Sequence, residues 1–148
     1  MHFIQEQRNR FSLSIEVEMR KGKYIKAHKN IPAISAPFSH AVVVGNYCHT
    51  SGQIAWDKSG KFISGSILKE TKTAFKNFFT VLKAAGFTKE DIVFVDIAFS
   101  NLQDLETITP FYKSLFNEEK QPARTIYQVA ALPEATKIKV MGIAIKNF

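Results

Sequence analysis

The 148-residue sequence predicts an α+β fold: one sheet with two helices packed on one face. Three observations carry this. Strand-like and helix-like segments follow one another as strands, helix, strand, helix and two strands. Each helical segment has a single apolar stripe and therefore one face to bury. Residues 92–99 are apolar on both alternating sets, so that strand needs cover on both sides.

Residues 1–22 differ from the remainder and read as an N-terminal extension, leaving 23–148 as the folded domain. Within the extension, Phe11, Leu13, Ile15, Val17 and Met19 alternate with polar residues. That pattern suits a strand, with a floppy segment as the alternative. Tyr24 to His28 is a short strand candidate. Pro32 and Pro37 keep the following loop extended. Residues 41–45 and 47–54 flank Gly45-Asn46, a two-residue hairpin signal, because both residues tolerate positive φ. Asp57 to Gly60 is a further turn.

In 67–85, Leu68, Thr71, Phe75, Phe78 or Phe79, and Leu82 recur at helical spacing. Lys69, Lys72, Lys76 and Lys83 fall mostly off that stripe, and Gly86 is a fitting stop. Residues 91–100 form a strand, after which Asn101 can cap the next helix. Leu105, Ile108, Phe111 with Tyr112, and Leu115 with Phe116 give that helix its buried face, with Pro110 inside it as a possible kink. Residues 125–132 and 137–146 are the last strands. Their connection, 132–136, is too short for a helix and predicts an antiparallel pair.

Strand 92–99 carries Val93, Val95, Ile97 and Phe99 on one set and Ile92, Phe94 and Ala98 on the other. Helices can cover one set. A second subunit covering the other favours a homo-oligomer.

Composition narrows the function. Cys48 is the one cysteine, so no internal disulfide is possible, and its apolar surroundings suggest a buried, inert thiol. No apolar run approaches the roughly 20 residues that span a bilayer, and Met1 to Arg10 has no hydrophobic signal core. A cytoplasmic protein is expected. Of the net charge of +7, residues 1–30 supply four, from seven basic and three acidic residues. A basic arm can attract phosphates, but this one lacks interleaved aromatics for base stacking, which disfavours a nucleic-acid partner. His2, His28, His40 and His49 show no metal-ligand spacing, so no metal is expected. No Gly-rich phosphate loop is present, and spacing does not select a triad from Ser51, His49 and Asp57.

Three segments are more informative: Pro37-Phe38-Ser39-His40-Ala41, Thr50-Ser51-Gly52-Gln53-Ile54, and the run from Gln121-Pro122-Ala123-Arg124 to Leu132-Pro133. With the helix end Lys83-Ala84-Ala85-Gly86, they resemble in order and separation the Rid/YjgF family, over residues 24–148. That resemblance implies a chorismate-mutase-like mixed sheet, a homotrimer whose three sheets line a central barrel, and ligand clefts between subunits. It also implies hydrolysis of reactive 2-imino and enamino acids to 2-oxo acids and ammonia, with no cofactor.

Carried onto this sequence, the resemblance makes Arg124 the group that holds a substrate carboxylate. A guanidinium fork suits that task, although on its own Arg124 reads more readily as half of a surface salt bridge. Ser51 and Gly52 would form the cleft wall, where glycine admits a ligand close to the backbone. The backbone of Ile126 would bond the imine nitrogen or its water. Gln53 would orient neighbours or serve a structural hydrogen bond. Two departures stand out. Phe38 occupies the position of a family tyrosine, losing a hydroxyl but keeping an aromatic wall. Fifteen residues after Arg124, where the family has a glutamate thought to position the hydrolytic water, this chain has Lys139. Lys139 is a catalytic candidate only in its uncharged form, which a neighbouring Arg124 would favour, and Glu134, in the turn, is a poor substitute. Beside Arg124, a second cation would instead make an anion pocket. A non-catalytic binder of small carboxylates is therefore the alternative to a deaminase. RNA binding or cleavage, supported only by the arm, is the weakest reading.

Overall fold

The computed structural model describes residues 1–19 and 21–146, so the expected domain 23–148 runs two residues past them. The elements are α1 (His2–Met19), β1 (Lys23–Ile25), β2 (Ala41–Val44), β3 (Tyr47–Thr50), α2 (Ile67–Ala84), β4 (Ile92–Phe99), α3 (Asp104–Ser114), β5 (Ala123–Gln128) and β6 (Ile138–Ile145). The six strands make one mixed sheet in the order β1-β2-β3-β6-β4-β5. Helices α2 and α3 pack on one face of it, giving the α+β fold that the sequence predicts.

The hairpin forms at Gly45-Asn46, with Gly45 at φ 58°. Ser66 caps α2 by accepting a hydrogen bond from the Lys69 N–H at 3.2 Å. Gly86, at φ 86°, ends the helix, and the Phe87 N–H returns to the Leu82 carbonyl at 2.9 Å. The helix buries Phe75, Phe78, Val81 and Leu82 completely. Phe75 is the hub of an aromatic cluster, with ring centroids 6.3 Å from Phe78, 5.9 Å from Phe79, 6.2 Å from Phe111 and 5.8 Å from Tyr112. Gly142 of β6 lets Phe78 reach the sheet, since a Cβ there would lie 2.7 Å from the ring.

Four expectations are corrected. The segment 11–19 is helical and belongs to α1, not a strand. Alternation makes a strand only where a neighbour takes up the backbone bonds. Among the described residues no strand pairs with this segment, and a run free of Gly and Pro satisfies its amides internally as a helix. Phe3, Ile4, Phe11 and Leu13 remain exposed. The last two strands are not hydrogen-bonded to each other. β4 lies between them, parallel to β5 and antiparallel to β6. The parallel pair needs α3 as its crossover, and residues 129–137 then carry the chain past β4 so that β6 enters between β3 and β4. The two sets proposed for β4 are broken by a register shift between Ile92 and Phe94. It sends Ile92 into the core and leaves Val93 exposed, while Asp96 joins Phe94 and Ala98 on the face opposite the helices. Finally, Asn101 closes the turn ahead of α3 by accepting from the Gln103 N–H at 3.1 Å and does not cap the helix itself.

Glu70 of α2 is fully buried and ties the helix to the start of β6. Its carboxylate accepts from the Lys137 N–H at 2.8 Å, the Lys137 ammonium at 3.1 Å, the Thr136 hydroxyl at 3.0 Å and the Gly65 N–H at 3.2 Å. Burial pushes its pKa up, but these donors outweigh burial and hold it below the ordinary glutamate range. A depressed folded-state pKa adds stability that is present above the unfolded value and disappears as pH falls through the folded one. Glu70→Gln should therefore cost about 2 kcal/mol at pH 7, less than a fully buried pair because Lys137 is partly open to solvent. Urea unfolding of both proteins should show the gap shrinking as the pH falls below the ordinary glutamate range; an equal gap at neutral and acid pH would contradict this. Cys48, on β3, is fully buried, and burial raises its thiol pKa to about 11 against the opposing pull of Lys146. Iodoacetamide at pH 8 should leave the native thiol unmodified and label it rapidly in 8 M urea.

Candidate functional site

Two separate clefts contain most of the residues singled out from sequence. The first, about 400 Å³, is lined by Ala36, Phe38, Ser51, Gly52, Ile54, Trp56, Pro133 and Lys139. The extended segment after Pro32 brings Phe38 to it, the end of β3 leads into Ser51 and Gly52, and β6 supplies Lys139. The Ser51 hydroxyl donates to the Ser39 carbonyl, which leaves its oxygen lone pairs free to accept. The Lys139 stem lies across Gly52, where a Cβ would come within 2.6 Å of the lysine Cδ. Glycine is thus required for this lysine to lie along the wall. An aromatic wall, a hydroxyl and an ammonium suit a small ligand with an apolar end and an anionic end.

The second cleft, about 520 Å³, is lined by Thr109, Tyr112, Lys113, Glu118, Gln121, Pro122 and Arg124. Arg124 lies near the start of β5, an edge strand, with its guanidinium carbon 4.6 Å from the centre of the Tyr112 ring. The aromatic face holds the fork in place by a cation–π contact and leaves its N–H groups open. Tyr112 is itself buried, and its hydroxyl has no partner among the described residues. Burial raises the tyrosine pKa while Arg124 lowers it, with burial prevailing.

Arg124 and Lys139 do not meet within one chain. Arg124 is paired with Val95, a core residue beneath the helices, and so shares the helix face. Lys139 stands opposite Ala98 and lies between the buried Ile138 and Val140, so it projects from the other face. β6 and β5 are also separated by β4, roughly 10 Å in strand spacings. The doubly cationic pocket expected from the sequence is therefore absent from a single protomer.

Ile126 is half-buried against the core, so its side chain is structural. The Val129 N–H donates to Phe99 at 2.9 Å, and strand alternation then turns the Ile126 amide and carbonyl toward the open sheet edge. Gln53 is fully buried and faces away from the cleft. Its amide nitrogen bonds His40 Nδ1 at 3.1 Å, its backbone pairs with Val140, and His40 Nε2 donates to the Pro32 carbonyl at 2.8 Å. Burial holds His40 below the ordinary histidine range against these bonds, so it is neutral at pH 7. Through these bonds Gln53 ties the Pro32–His40 loop to β6.

Sequence reasoning missed Trp56 and Pro133 as cleft walls and Tyr112 as the platform under Arg124. Trp56 follows the Ser-Gly-Gln-Ile strand end by two residues, a signal that was readable. Its indole N–H donates to Glu134 at 3.0 Å. Glu134 and Ala135 both adopt φ 55°, a left-handed conformation uncommon for non-glycine residues, in the turn behind Pro133. The Glu134 carboxylate is engaged at the rim and does not line the cleft. Among the described residues no cluster of three or more His, Cys, Asp or Glu is gathered for a metal, and no helix is long and apolar enough to cross a membrane.

Comparison with known proteins identifies this architecture. The human protein named 2-iminobutanoate/2-iminopropanoate deaminase is 38% identical over 117 residues, covering 78% of this chain and 85% of its own. The crystal structure of the E. coli YjgF gene product shares 30% identity at a TM-score of 0.75, covering 84% of this chain and all of its own. E. coli TdcF with bound serine shares 28% identity at the same TM-score and the same coverage. The family described as Endoribonuclease L-PSP matches residues 28–146. With the same fold and with relatives matched along most of its length, the chain belongs to the Rid/YjgF family.

Proposed function

We propose that this protein hydrolyses reactive 2-imino acids, and their enamine tautomers, to 2-oxo acids and ammonia, in a cleft shared by neighbouring subunits of a homotrimer. The observation that carries the reading is the exposed Arg124 fork fixed on Tyr112 at an open sheet edge, in a chain 38% identical to a named imine deaminase. The relative with bound serine shows that a small amino acid is accommodated by a protein of this fold.

The two half-sites support an intersubunit cleft. One protomer holds Arg124 and the Ile126 backbone at its β5 edge. Phe38, Ser51, Gly52 and Lys139 sit on the opposite face, and a second copy can bring the halves together. The face opposite the helices carries exposed Tyr24, Val44, Tyr127 and Ile145, which a trimer would cover. In the assembled cleft, Arg124 grips the carboxylate through two parallel hydrogen bonds. Phe38 and Trp56 receive the short aliphatic end. Ser51 and the Ile126 backbone bond the imine nitrogen and the attacking water. Water adds to the C=N carbon, the nitrogen takes up the proton, and the resulting carbinolamine expels ammonia to leave the 2-oxo acid. Imine hydrolysis is intrinsically easy, so positioning of substrate and water supplies the rate without a carboxylate base.

Lys139 favours a second reading, a carboxylate binder without turnover, because among the described residues no acid lines the Phe38 cleft. The test is hydrolysis of 2-iminobutanoate generated in place by an amino-acid oxidase. The wild type should release 2-oxobutanoate faster than buffer. Arg124→Ala should lose about a hundredfold in kcat/KM, the worth of two charge-assisted hydrogen bonds. Lys139→Gln should stay within about threefold, since the lysine is not the base. A wild type no faster than buffer would reject the deaminase and leave the binder.

A further inference from the structure

The outer surface of the helical layer carries a groove that the proposed chemistry does not use. It lies between α2 and α3 and has a volume of about 500 Å³. Two pairs spaced four residues apart face each other across it: Phe75 and Phe79 on α2, Phe111 on α3 and Leu115 just past its end. Phe75 is fully buried and forms the floor. Phe79, Phe111 and Leu115 are only half-buried, so apolar surface stays in water along the groove. Lys72, Lys76 and Lys83 line the α2 side, and the Lys72 ammonium stands 5.8 Å from the Phe111 ring centre. Among the described residues none of these lysines forms an ion pair. The one acid of α2, Glu70, is buried and already paired with Lys137. The groove is therefore an apolar trough beside an uncompensated row of positive charge, and that row extends roughly 16 Å along the helix.

We propose that this groove docks an acidic amphipathic helix of a partner protein. Three turns of helix are about 16 Å long, matching the lysine row. Apolar anchors at i, i+3 or i+4, and i+7 would enter between the phenylalanines, while flanking Asp and Glu would meet Lys72, Lys76 and Lys83. A two-fold pairing of this patch with the same patch of a second copy is disfavoured, because it would bring its three lysines against the same three of the partner. Nucleic acid is likewise disfavoured. The Phe79 ring meets Phe75 at 5.9 Å and Phe116 at 6.3 Å in tilted and edge-on contacts, which restricts the ring face on which a base could stack.

The test uses the full chain and a fluorescein-labelled synthetic 16-residue peptide. Leucines at helical spacing form one face of the peptide, and glutamates fill the rest. The control has the same composition scrambled to remove the apolar face. Fluorescence anisotropy should show binding of the amphipathic peptide, at least tenfold weaker binding of the scramble, and weakening with salt. Triple reversal of Lys72, Lys76 and Lys83 to Glu leaves the core untouched and should reduce binding by at least about tenfold. Amide chemical shifts should move along α2 and α3 and not on the sheet's open face. Absence of binding, equal binding of the scramble, or an unchanged triple variant would each overturn the proposal. So would binding of phosphatidylserine vesicles through these lysines with no binding of the peptide, because it would assign the groove to membranes.

Discussion

A β-strand turns successive side chains to opposite faces, and this single constraint governs how the candidate site can be assembled. Arg124 falls in phase with Val95 and the helix-covered core, whereas Lys139 falls out of phase with Ile138 and Val140. No rotamer change can bring the two cations together in one chain. In the proposed function, the groups suited to bind a carboxylate and the groups suited to surround its neighbouring carbon come together when a β5 edge from one copy meets the Phe38 cleft of another. On this view oligomerisation is a condition of function.

The rest of the fold supplies rigidity to these two positions. The parallel β4–β5 pair requires α3 as its crossover, and α3 in turn presents Tyr112 beneath the Arg124 guanidinium. Phe75 joins the two helices through contacts with Phe111 and Tyr112, so the arginine's platform is anchored in the deepest part of the core. On the other side, the Glu70 network fixes the entry to β6, two residues before Lys139. Gln53 and His40 fasten the Phe38 loop to the same strand. Each of the two clefts is thus held by buried hydrogen bonds or aromatic packing.

Much of this was legible in the sequence because it rests on local signals. The α2 stripe, the Gly86 stop and the Gly45-Asn46 hairpin need no knowledge of distant residues. Nearest-neighbour strand order did not follow from local signals. Placing β6 between β3 and β4 depends on both edges of β4 seeking partners, which the short 132–136 connection concealed. The strand pattern at 11–19 failed for a related reason: alternation carries information only where a sheet edge is available. Ser51, Gly52, Phe38 and Lys139 do line one cleft, and Arg124 lines another. Gln53 turned inward because its backbone pairs with Val140, a register that spacing alone does not reveal. Asp96 was overlooked among apolar neighbours, yet it accepts from Thr125 at 2.8 Å and Tyr127 at 2.7 Å on the open face.

A shared cleft is tested most directly by mixing two inactive variants. Arg124→Ala removes the carboxylate grip, and Gly52→Phe fills the Phe38 cleft while leaving Arg124 intact. Co-expressed in equal amounts, random trimers would contain intact interfaces at about a quarter of the wild-type number. Imine hydrolysis should therefore return to about that fraction. A mixture as inactive as either parent would show that both half-sites must lie on one chain, contradicting the intersubunit cleft.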